Sequence, residues 1–391
     1  MKPGKHERTH STDARMAQII PAQHGKTIPH VRTEIRVPAY IKNPFQEKYD
    51  TDTFPNQRQF AKDIARVFQD KTTLHVLAVA PTQSGKTGTM LAIQREFAEQ
   101  KAIRVKKTHM FIFTGLSSLE WLEQTKNRFP EFMTPHIFHR NQWKKAVTKI
   151  HGLTNVLIII DECHIAAKTQ QTLHKFAQHI WNHDISKMYT QNIKLIQFTA
   201  TPQRLEQEYI QKWGTAHHTL YMDVPKQYIS VQKLLQQHRV KHAKDLCGVV
   251  DKQTMNVLPH VHEHIQEIAD IVATMKPAYH IIRTPRAQLH QVVIHNFKTH
   301  MPTTYKYIST MGWDNHKFDH TLNTQPNTHT FIFIKDKLRV AKTIQHNFIG
   351  ILYEKITHNN SHATIAQGLL GRNTGYHTNH TSIVFTDTNK I

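Results

Sequence analysis

A strand, a short loop and a helix follow one another early in the sequence. Residues 74–80 form an apolar run of strand length, and residues 86–97 have the spacing of a helix. The loop between them ends in Gly85, Lys86 and Thr87. Such a loop brings backbone N–H groups to the start of a helix, where the helix dipole favours an anion. The segment therefore predicts an α/β fold with a phosphate-binding loop beside its sheet.

Strands alternate with helices through most of the chain. The alternation predicts parallel pairing, and the continuously apolar strands indicate a sheet covered on both faces. It is interrupted at about residues 203–258 and then restarts, which predicts two α/β domains facing each other across a cleft. The predicted strands are 74–80, 110–113, 137–139, 155–161, 193–198, 279–282, 305–309, 331–334, 348–353 and 382–385, and the predicted helices are 57–68, 86–97, 117–129, 169–181, 263–275, 287–297 and 363–370.

Charge and composition narrow the class of protein. The 391 residues carry a net charge of +21, which favours an anionic partner such as nucleic acid, although solubility alone is the alternative. Two cysteines exclude a disulfide framework and favour a reducing, intracellular setting. No apolar run approaches the ~20 residues of a membrane helix. The first residues lack the apolar core of a secretory signal, so we expect neither a membrane nor a secreted protein.

The phosphate loop has a specific chemistry. Lys86 would pair with the β- and γ-phosphates of a nucleotide, and the Thr87 hydroxyl would ligate Mg²⁺. The full loop pattern has glycine where Ala80 stands, so the match is partial.

Polar residues close two further apolar strands. Asp161 and Glu162 end the strand at 155–161, and Thr199 and Thr201 end the strand at 193–198. Strand ends of a parallel sheet meet at one edge, so these groups are expected beside the phosphate loop. Asp161 would hold Mg²⁺, and Glu162 would orient and deprotonate a water molecule. The alternative is that the two acids cap the following helix.

Taken together, these motifs resemble superfamily 2 helicases of the DEAD/DEAH-like group. Residues 80–87 match motif I, residues 161–164 motif II and residues 199–201 motif III, with Gln83 where that family often has glycine. The resemblance covers about residues 54–386 and implies two tandem RecA-like P-loop NTPase domains that bind ATP and Mg²⁺. The nucleotide-binding residues that it implies are Gln57, Thr82, Gln83, Ser84, Gly85, Lys86, Thr87 and His164, with Gln59 as the alternative to Gln57.

The C-terminal half departs from the family pattern. Residues 367–376 resemble motif VI, so Arg372 is the expected arginine finger and Gln367 a second catalytic residue. Gly375 stands where the family usually has another arginine. The alternative is a helix terminus with a surface arginine. This variant is similar to helicases encoded by phages and large DNA viruses.

Several loops are candidates for contacts with nucleic acid, or for coupling such contacts to the nucleotide. Each of them has a solvated loop as its alternative. These residues are Gly115, Ser117, Thr199, Thr201, Arg283, Arg286, Lys335, Arg339 and Lys342.

The sequence thus predicts an ATP-hydrolysing helicase or translocase that moves along a single strand, with DNA favoured over RNA. A remodelling ATPase that does not unwind duplexes is the first alternative, and a non-hydrolysing clamp is the second. A monomer is the default state. The expected organisation is a flexible basic arm at 1–40, an ATP-binding domain at 41–225, a linker at 226–258 and a second domain at 259–391.

Overall fold

A computed structural model gives the fold of the chain. It describes residues 53–165, 170–248, 259–285, 288–311, 313, 315–335, 338, 344–356, 365 and 368–391. The predicted N-terminal arm lies outside these residues.

The first sheet is built entirely from parallel strands. Among the described residues its order is β3-β2-β4-β5-β1-β6. Its strands are β1 (His75–Val79), β2 (Met110–Thr114), β3 (Ile137–Phe138), β4 (Val156–Asp161), β5 (Ile193–Thr199) and β6 (His217–Tyr221).

Helices cover both faces of this sheet. They are α1 (Pro55–Val67), α2 (Lys86–Glu99), α3 (Leu119–Arg128), α4 (Trp143–Ile150), α5 (Thr172–Trp181), α6 (Ile185–Gln191) and α7 (Gln203–Trp213). Every residue of β4 is buried, and its apolar side chains alternate between two core clusters. Burial on both faces explains why this strand is continuously apolar rather than alternating.

The second sheet repeats the same architecture. Its described strands are also parallel, in the order β7-β12-β11-β8-β10-β9. The strands are β7 (Val240–His242), β8 (Tyr279–Arg283), β9 (Lys306–Ser309), β10 (Thr330–Ile334), β11 (Ile349–Tyr353) and β12 (Ile383–Thr386), and the helices are α8 (Val231–Gln236), α9 (Pro259–Ala273), α10 (Gln288–His300), α11 (Asn315–Leu322) and α12 (Leu369–Arg372). Two further core clusters lie on its faces.

The strand order of the first sheet brings the predicted motifs together. Strand β5 lies between β1 and β4, so the loop after β1 and the acids that end β4 lie at the same edge. The Ala80 N–H donates to the Thr199 carbonyl at 2.9 Å, and the Cys163 N–H donates to the Phe198 carbonyl at 3.1 Å. These bonds hold the phosphate loop and the carboxylate turn on either side of β5.

The α/β class and the two parallel sheets confirm the predicted fold, and the described part of the predicted linker at 226–258 contains two short elements, α8 and β7. Strand β7 extends the edge of the second sheet, and Leu234 of α8 packs in its core. The sequence missed both elements because each is short and β7 is partly exposed, so neither carries a long apolar run. Where one domain ends and the next begins stays a prediction.

The irregular stretch after residue 203 also holds more structure than predicted, namely α7 and β6. Within the described ranges, no helix has both the length and the apolar character required to cross a bilayer.

Candidate functional site

A cavity of about 750 Å³ lies where the two halves of the fold meet. Residues from both halves line it, so it exists only when the two are together. The lining residues are Phe54, Gln57, Thr82, Gln83, Gly85, Lys86, Thr87, Trp121, Gln124, Thr125, Arg128, Asp161, Glu162, Ile344, Gln345, His346, Asn347, Arg372, Tyr376, His377 and Thr378.

The phosphate loop has the geometry of an anion cradle. Gly85 has a φ of +93° and directly precedes helix α2, so the N–H groups of that helix open toward the cavity. A Cβ at this position would overlap the Gln57 side-chain amide. Within the described chain the Ser84 Oγ is buried without a hydrogen-bond partner, beside Lys86 and Thr87. The loop thus offers polar groups that its own packing does not use.

Lys86 and Glu162 form the central ion pair of the site. The Lys86 Nζ lies 2.8 Å from the Glu162 Oε1, and both side chains are nearly buried. Burial opposes both charges and is the largest single effect on each, but the neighbouring charges and the hydrogen bond together outweigh it. The carboxylates of Glu162 and Asp161 raise the pKa of Lys86, and the ammonium of Lys86 lowers the pKa of Glu162. Lys86 and Glu162 are therefore both charged near neutral pH.

Asp161 has a different environment from its neighbour. Burial and the adjacent Glu162 charge raise the pKa of Asp161 to about 6. The Trp121 indole N–H donates to its Oδ2 at 2.9 Å, and the Glu162 N–H donates to its Oδ1 at 3.0 Å. Glu162 itself has a φ of +51°, a left-handed conformation that is uncommon outside glycine. The turn therefore directs two adjacent carboxylates with opposite pKa shifts into one cavity.

The second half contributes Arg372 to the same cavity. Arg372 is only 3% exposed, and its positive charge lowers the pKa of Glu162 after the larger effects of burial, Lys86 and His164. It ends helix α12, which the phosphate loop contacts directly. The Gln83 Nε2 donates to the Arg372 carbonyl at 2.9 Å and to the Gly371 carbonyl at 3.3 Å.

Further hydrogen bonds hold the phosphate loop to Tyr228, which precedes α8, and to a residue after α12. The Thr82 carbonyl accepts from the Thr374 hydroxyl at 2.9 Å and from the Tyr228 hydroxyl at 2.5 Å. A Cβ on Gly375, whose φ is +118°, would lie 3.4 Å from the Gln83 Cβ. That distance is an ordinary van der Waals contact, so the positive φ, which L side chains rarely adopt, is what favours glycine at this position.

Two aromatic rings border the cavity on the side of Gln57. The Phe54 and Tyr376 ring centroids are 5.9 Å apart. Gln57 accepts from the Phe54 N–H at 2.9 Å and donates to the Ser84 carbonyl at 3.4 Å. Gln59, the alternative, is exposed and donates to Asp63 instead. The structure therefore brings Gln57, and not Gln59, to the cavity.

His164 and the Thr199–Thr201 turn lie close behind the carboxylates. The His164 Nδ1 is 3.7 Å from the Glu162 Oε2. The Thr199 Oγ1 accepts from the Thr201 N–H at 3.1 Å, and Thr199 is fully buried. None of the three lines the cavity, so each can act on a bound molecule only through its neighbours.

Two of the residues predicted to contact nucleic acid, Gly115 and Arg283, are buried. Gly115 is buried, and a Cβ there would overlap the Ile165 carbonyl, so close packing explains the glycine. Arg283 is buried in an ion pair with Glu354, at 2.6 Å, and does not face solvent. Ser117 is exposed and Lys335 is partly exposed. Arg286, Arg339, Lys342 and Gln367 lie outside the described residues.

A hard cation fits the oxygen atoms at the cavity. The Asp161 carboxylate and the Thr87 hydroxyl line it together, and oxygen donors of this kind suit Mg²⁺. Within the described ranges, no cluster of three or more His, Cys, Asp or Glu side chains could hold a metal alone. The chemistry therefore fits a cation that arrives with other oxygen ligands, such as phosphates.

The sequence did not point to Trp121, Tyr228, Thr374 or Tyr376. Trp121 lies one turn into helix α3, and nothing in its local pattern indicates a polar partner. Tyr376 and Thr374 follow Arg372 closely, so their proximity to that residue was the one available signal.

A known protein family and a viral protein resemble this chain. Residues 50–204 match the family model described as "Type III restriction enzyme, res subunit". The "Uncharacterized protein L594" of Acanthamoeba polyphaga mimivirus is 24% identical over 378 residues, which are 90% of this chain and 91% of that protein.

Solved structures share the fold at low identity. The DEAD-box helicase Mss116 bound to ssRNA and UDP-BeF has a TM-score of 0.54 and 12% identity, covering 88% of this chain and 73% of that one. The E. coli DExH-box NTPase HrpB has a TM-score of 0.54 and 11% identity, covering 85% of this chain and 41% of that one. Together with the family match, these structures confirm the resemblance to superfamily 2 helicases, and the relative named above is a viral protein.

Proposed function

We propose that this protein hydrolyses ATP to move along a single strand of nucleic acid and to separate duplexes. One observation carries the proposal: the phosphate loop, the two carboxylates and Arg372 all line one cavity between the two halves of the fold. Such a site assembles when the halves close and opens when they part, which is how a motor couples hydrolysis to movement.

The cavity suits a nucleoside triphosphate along its length. The rings of Phe54 and Tyr376, with the Gln57 amide, would hold the base. The loop and Lys86 would hold the phosphates. Mg²⁺, held by Thr87 and Asp161, would neutralise charge on the phosphates.

The ion pair between Lys86 and Glu162 suggests how Glu162 becomes available as the general base. In the structure the Glu162 carboxylate is engaged by the Lys86 ammonium at 2.8 Å. The phosphates of a bound nucleotide would compete for Lys86, and this competition would leave Glu162 to accept a proton from the attacking water. The water oxygen bonds to the γ-phosphorus as the bond to the ADP oxygen breaks, and Glu162 takes the proton that the water loses.

Arg372 would act on the charge of the transferring phosphoryl group. A guanidinium can stabilise several phosphate oxygens together. Since it comes from the second half, hydrolysis would depend on closure.

Nucleic acid is the partner that the charge favours. A net charge of +21 predicts binding that weakens steeply with salt and depends little on base sequence. The Mss116 structure with the same fold holds ssRNA. The relative from a large DNA virus supports DNA as the preferred strand for this chain.

The first experiment measures ATP hydrolysis without nucleic acid, with single-stranded DNA and with single-stranded RNA, at low salt. We expect stimulation, and more by DNA. Lys86→Ala and Glu162→Gln should each lower kcat by about 100-fold or more, because one removes the phosphate contact and the other the base. Glu123→Gln, an exposed carboxylate on α3, serves as the control and should match the wild type.

Wild-type activity in either the Lys86 or the Glu162 variant would disprove the assignment of the site. A tailed-duplex displacement assay then distinguishes unwinding from translocation alone. Bound ATP without hydrolysis under any condition would indicate a clamp instead of a motor.

A further inference from the structure

A buried ion pair joins the ends of two strands in the second half of the fold. Arg283 ends β8, and Glu354 directly follows β11, its neighbour in the sheet. The Arg283 Nε lies 2.6 Å from the Glu354 Oε1, and the two side chains are 4% and 12% exposed. Neither side chain lines the cavity, so neither can touch a nucleotide there.

Each partner also holds a second segment. The Arg283 Nη2 donates to the Leu338 carbonyl at 2.8 Å. The Glu354 Oε2 accepts from the Leu369 N–H at 3.2 Å. Leu369 is the first residue of α12, and Arg372 is its last. The pair therefore connects the chain after β10 to the short helix that carries the cavity arginine.

The Leu338 end of this connection is held in an unusual conformation. Leu338 has a φ of +59°, a strained backbone conformation that a residue other than glycine keeps only where surrounding contacts hold it. It is 5% exposed and packs in the core below β10. The Arg283 bond fixes its carbonyl, so movement of this segment would move the guanidinium.

Stability alone gives a weak reason for such a pair. Removing two charges from water costs free energy that their attraction often fails to recover, and apolar replacements of buried pairs are frequently as stable. What apolar side chains cannot reproduce is the pair of directional bonds, one to the Leu338 carbonyl and one to the Leu369 N–H.

We propose that Arg283 and Glu354 are positioning residues that couple the segment at Leu338 to Arg372. Lys335 is a partly exposed cation three residues before Leu338, so nucleic acid that binds beside Lys335 would shift the Leu338 carbonyl. A shift of that carbonyl would pass through the ion pair to the Leu369 N–H at the start of α12, and it would thereby change the position of Arg372. This inference rests on the proposed function and assigns to these two side chains the stimulation of hydrolysis by nucleic acid.

The test separates coupling from folding by removing both charges at once. Arg283→Met with Glu354→Leu should melt within a few degrees of the wild type, since no charge is left unpaired. We expect its nucleic-acid-stimulated kcat to fall at least about tenfold, because both directional hydrogen bonds are gone. The KM for ATP and the affinity for a labelled single strand should stay within twofold of the wild type.

Arg283→Lys provides a second, conservative variant. The lysine keeps a positive charge beside Glu354 but lacks the guanidinium nitrogen that donates to the Leu338 carbonyl. It should lose stimulation while folding normally, and it carries the test if the double variant does not fold. Glu267→Gln is the control, because it also removes a carboxylate charge, at a half-exposed ion pair of the same half. It should keep full stimulation.

Three outcomes have distinct meanings. A double variant that is stimulated as well as the wild type would overturn the coupling and leave the proposed function standing. A fall in strand affinity that matches the fall in stimulation would also overturn it, because the pair would then only shape the binding surface. A wild type that nucleic acid does not stimulate would refute the proposed function, and the coupling with it.

Discussion

At the scale of single residues, two adjacent carboxylates differ in what holds them. Glu162 pairs with Lys86, whereas Asp161 accepts from a tryptophan N–H. A lysine ammonium stabilises the ionised carboxylate by its full charge, whereas an indole N–H stabilises it by one directional hydrogen bond. The site thus keeps Glu162 charged and leaves Asp161, whose pKa is about 6, dependent on Trp121 for orientation.

We predict that Trp121→Phe weakens the site's use of Mg²⁺. The variant keeps an aromatic ring but loses the bond to Asp161, and a hydrogen bond to a charged group contributes about 1.5–3 kcal/mol. The Mg²⁺ concentration for half-maximal ATP hydrolysis should rise by about tenfold or more, and saturating Mg²⁺ should recover most of the rate. A magnesium titration of the hydrolysis rate measures this.

The matched control is Trp143→Phe, on helix α4 and outside the residues that line the cavity. An unchanged magnesium requirement in Trp121→Phe, with the control behaving normally, would mean that Asp161 needs no such orientation.

At the scale of elements, the phosphate loop binds the second half as well as facing a nucleotide. Gln83 has a φ of +59° and reaches the last carbonyls of α12. A change in the loop backbone when phosphate binds would therefore alter the hydrogen bonds that hold the loop to the helix of Arg372.

We predict that Gln83→Gly separates binding from turnover. Glycine adopts the left-handed backbone more easily but removes both bonds to α12, which together contribute about 1–3 kcal/mol. The kcat for ATP should fall about tenfold, while the KM changes by less than about twofold, because the loop's N–H groups remain. Steady-state kinetics with saturating nucleic acid measure both constants.

Gln170→Gly makes the same substitution at another left-handed, exposed glutamine of the first half. It should leave kcat unchanged. If Gln83→Gly instead raises the KM with kcat intact, the loop serves binding and the contact with α12 has no part in turnover.

At the scale of the whole molecule, buried histidines make the fold sensitive to acid. The protein has 32 histidines, and eight of the described ones are buried with a lowered pKa: His75, His139, His217, His264, His280, His290, His329 and His346. Burial lowers the pKa of His346 to about 3, and it lowers that of His75 and His280 well below 6.5. These side chains stay neutral in the folded state at a pH where the unfolded chain binds protons.

We predict that the free energy of unfolding falls as the pH drops from about 6.5 toward 4. The unfolded state binds more protons in this window, so each of these histidines removes up to about 1.4 kcal/mol per pH unit. Asp161, with its raised pKa of about 6, acts in the opposite direction but is one group against eight. Denaturant unfolding at pH 7.5 and 5.0 measures the difference.

His346→Phe tests the attribution. Both ring nitrogens of His346 are buried and without a hydrogen-bond partner among the described residues, so phenylalanine removes the titration without breaking a bond. The loss of stability between the two pH values should be smaller than in the wild type, whereas His151→Phe, at an exposed position, should leave it unchanged. Equal losses in all three proteins would show that other groups control the acid sensitivity.

Much of the fold and of the cavity follows from local sequence. The apolar strands, the loop of Gly85 to Thr87 and the acids at 161–162 are recognisable because periodicity and turn chemistry act over a few residues. Their meeting at one edge follows from parallel pairing. The short or exposed elements β7, α8 and β6 were missed because they carry too few apolar residues to show a period.

What the sequence by itself determined was the α/β class, the two parallel sheets and the identity of Lys86, Thr87, Asp161 and Glu162 as a group. The tertiary structure alone decided their partners. Trp121 meets Asp161 across 40 residues, Gln83 meets Arg372 across 289, and Arg283 turned from a predicted strand contact into half of a buried ion pair. Local patterns fix what a segment forms, but which side chains satisfy a buried charge depends on which segments the packed sheets bring within reach.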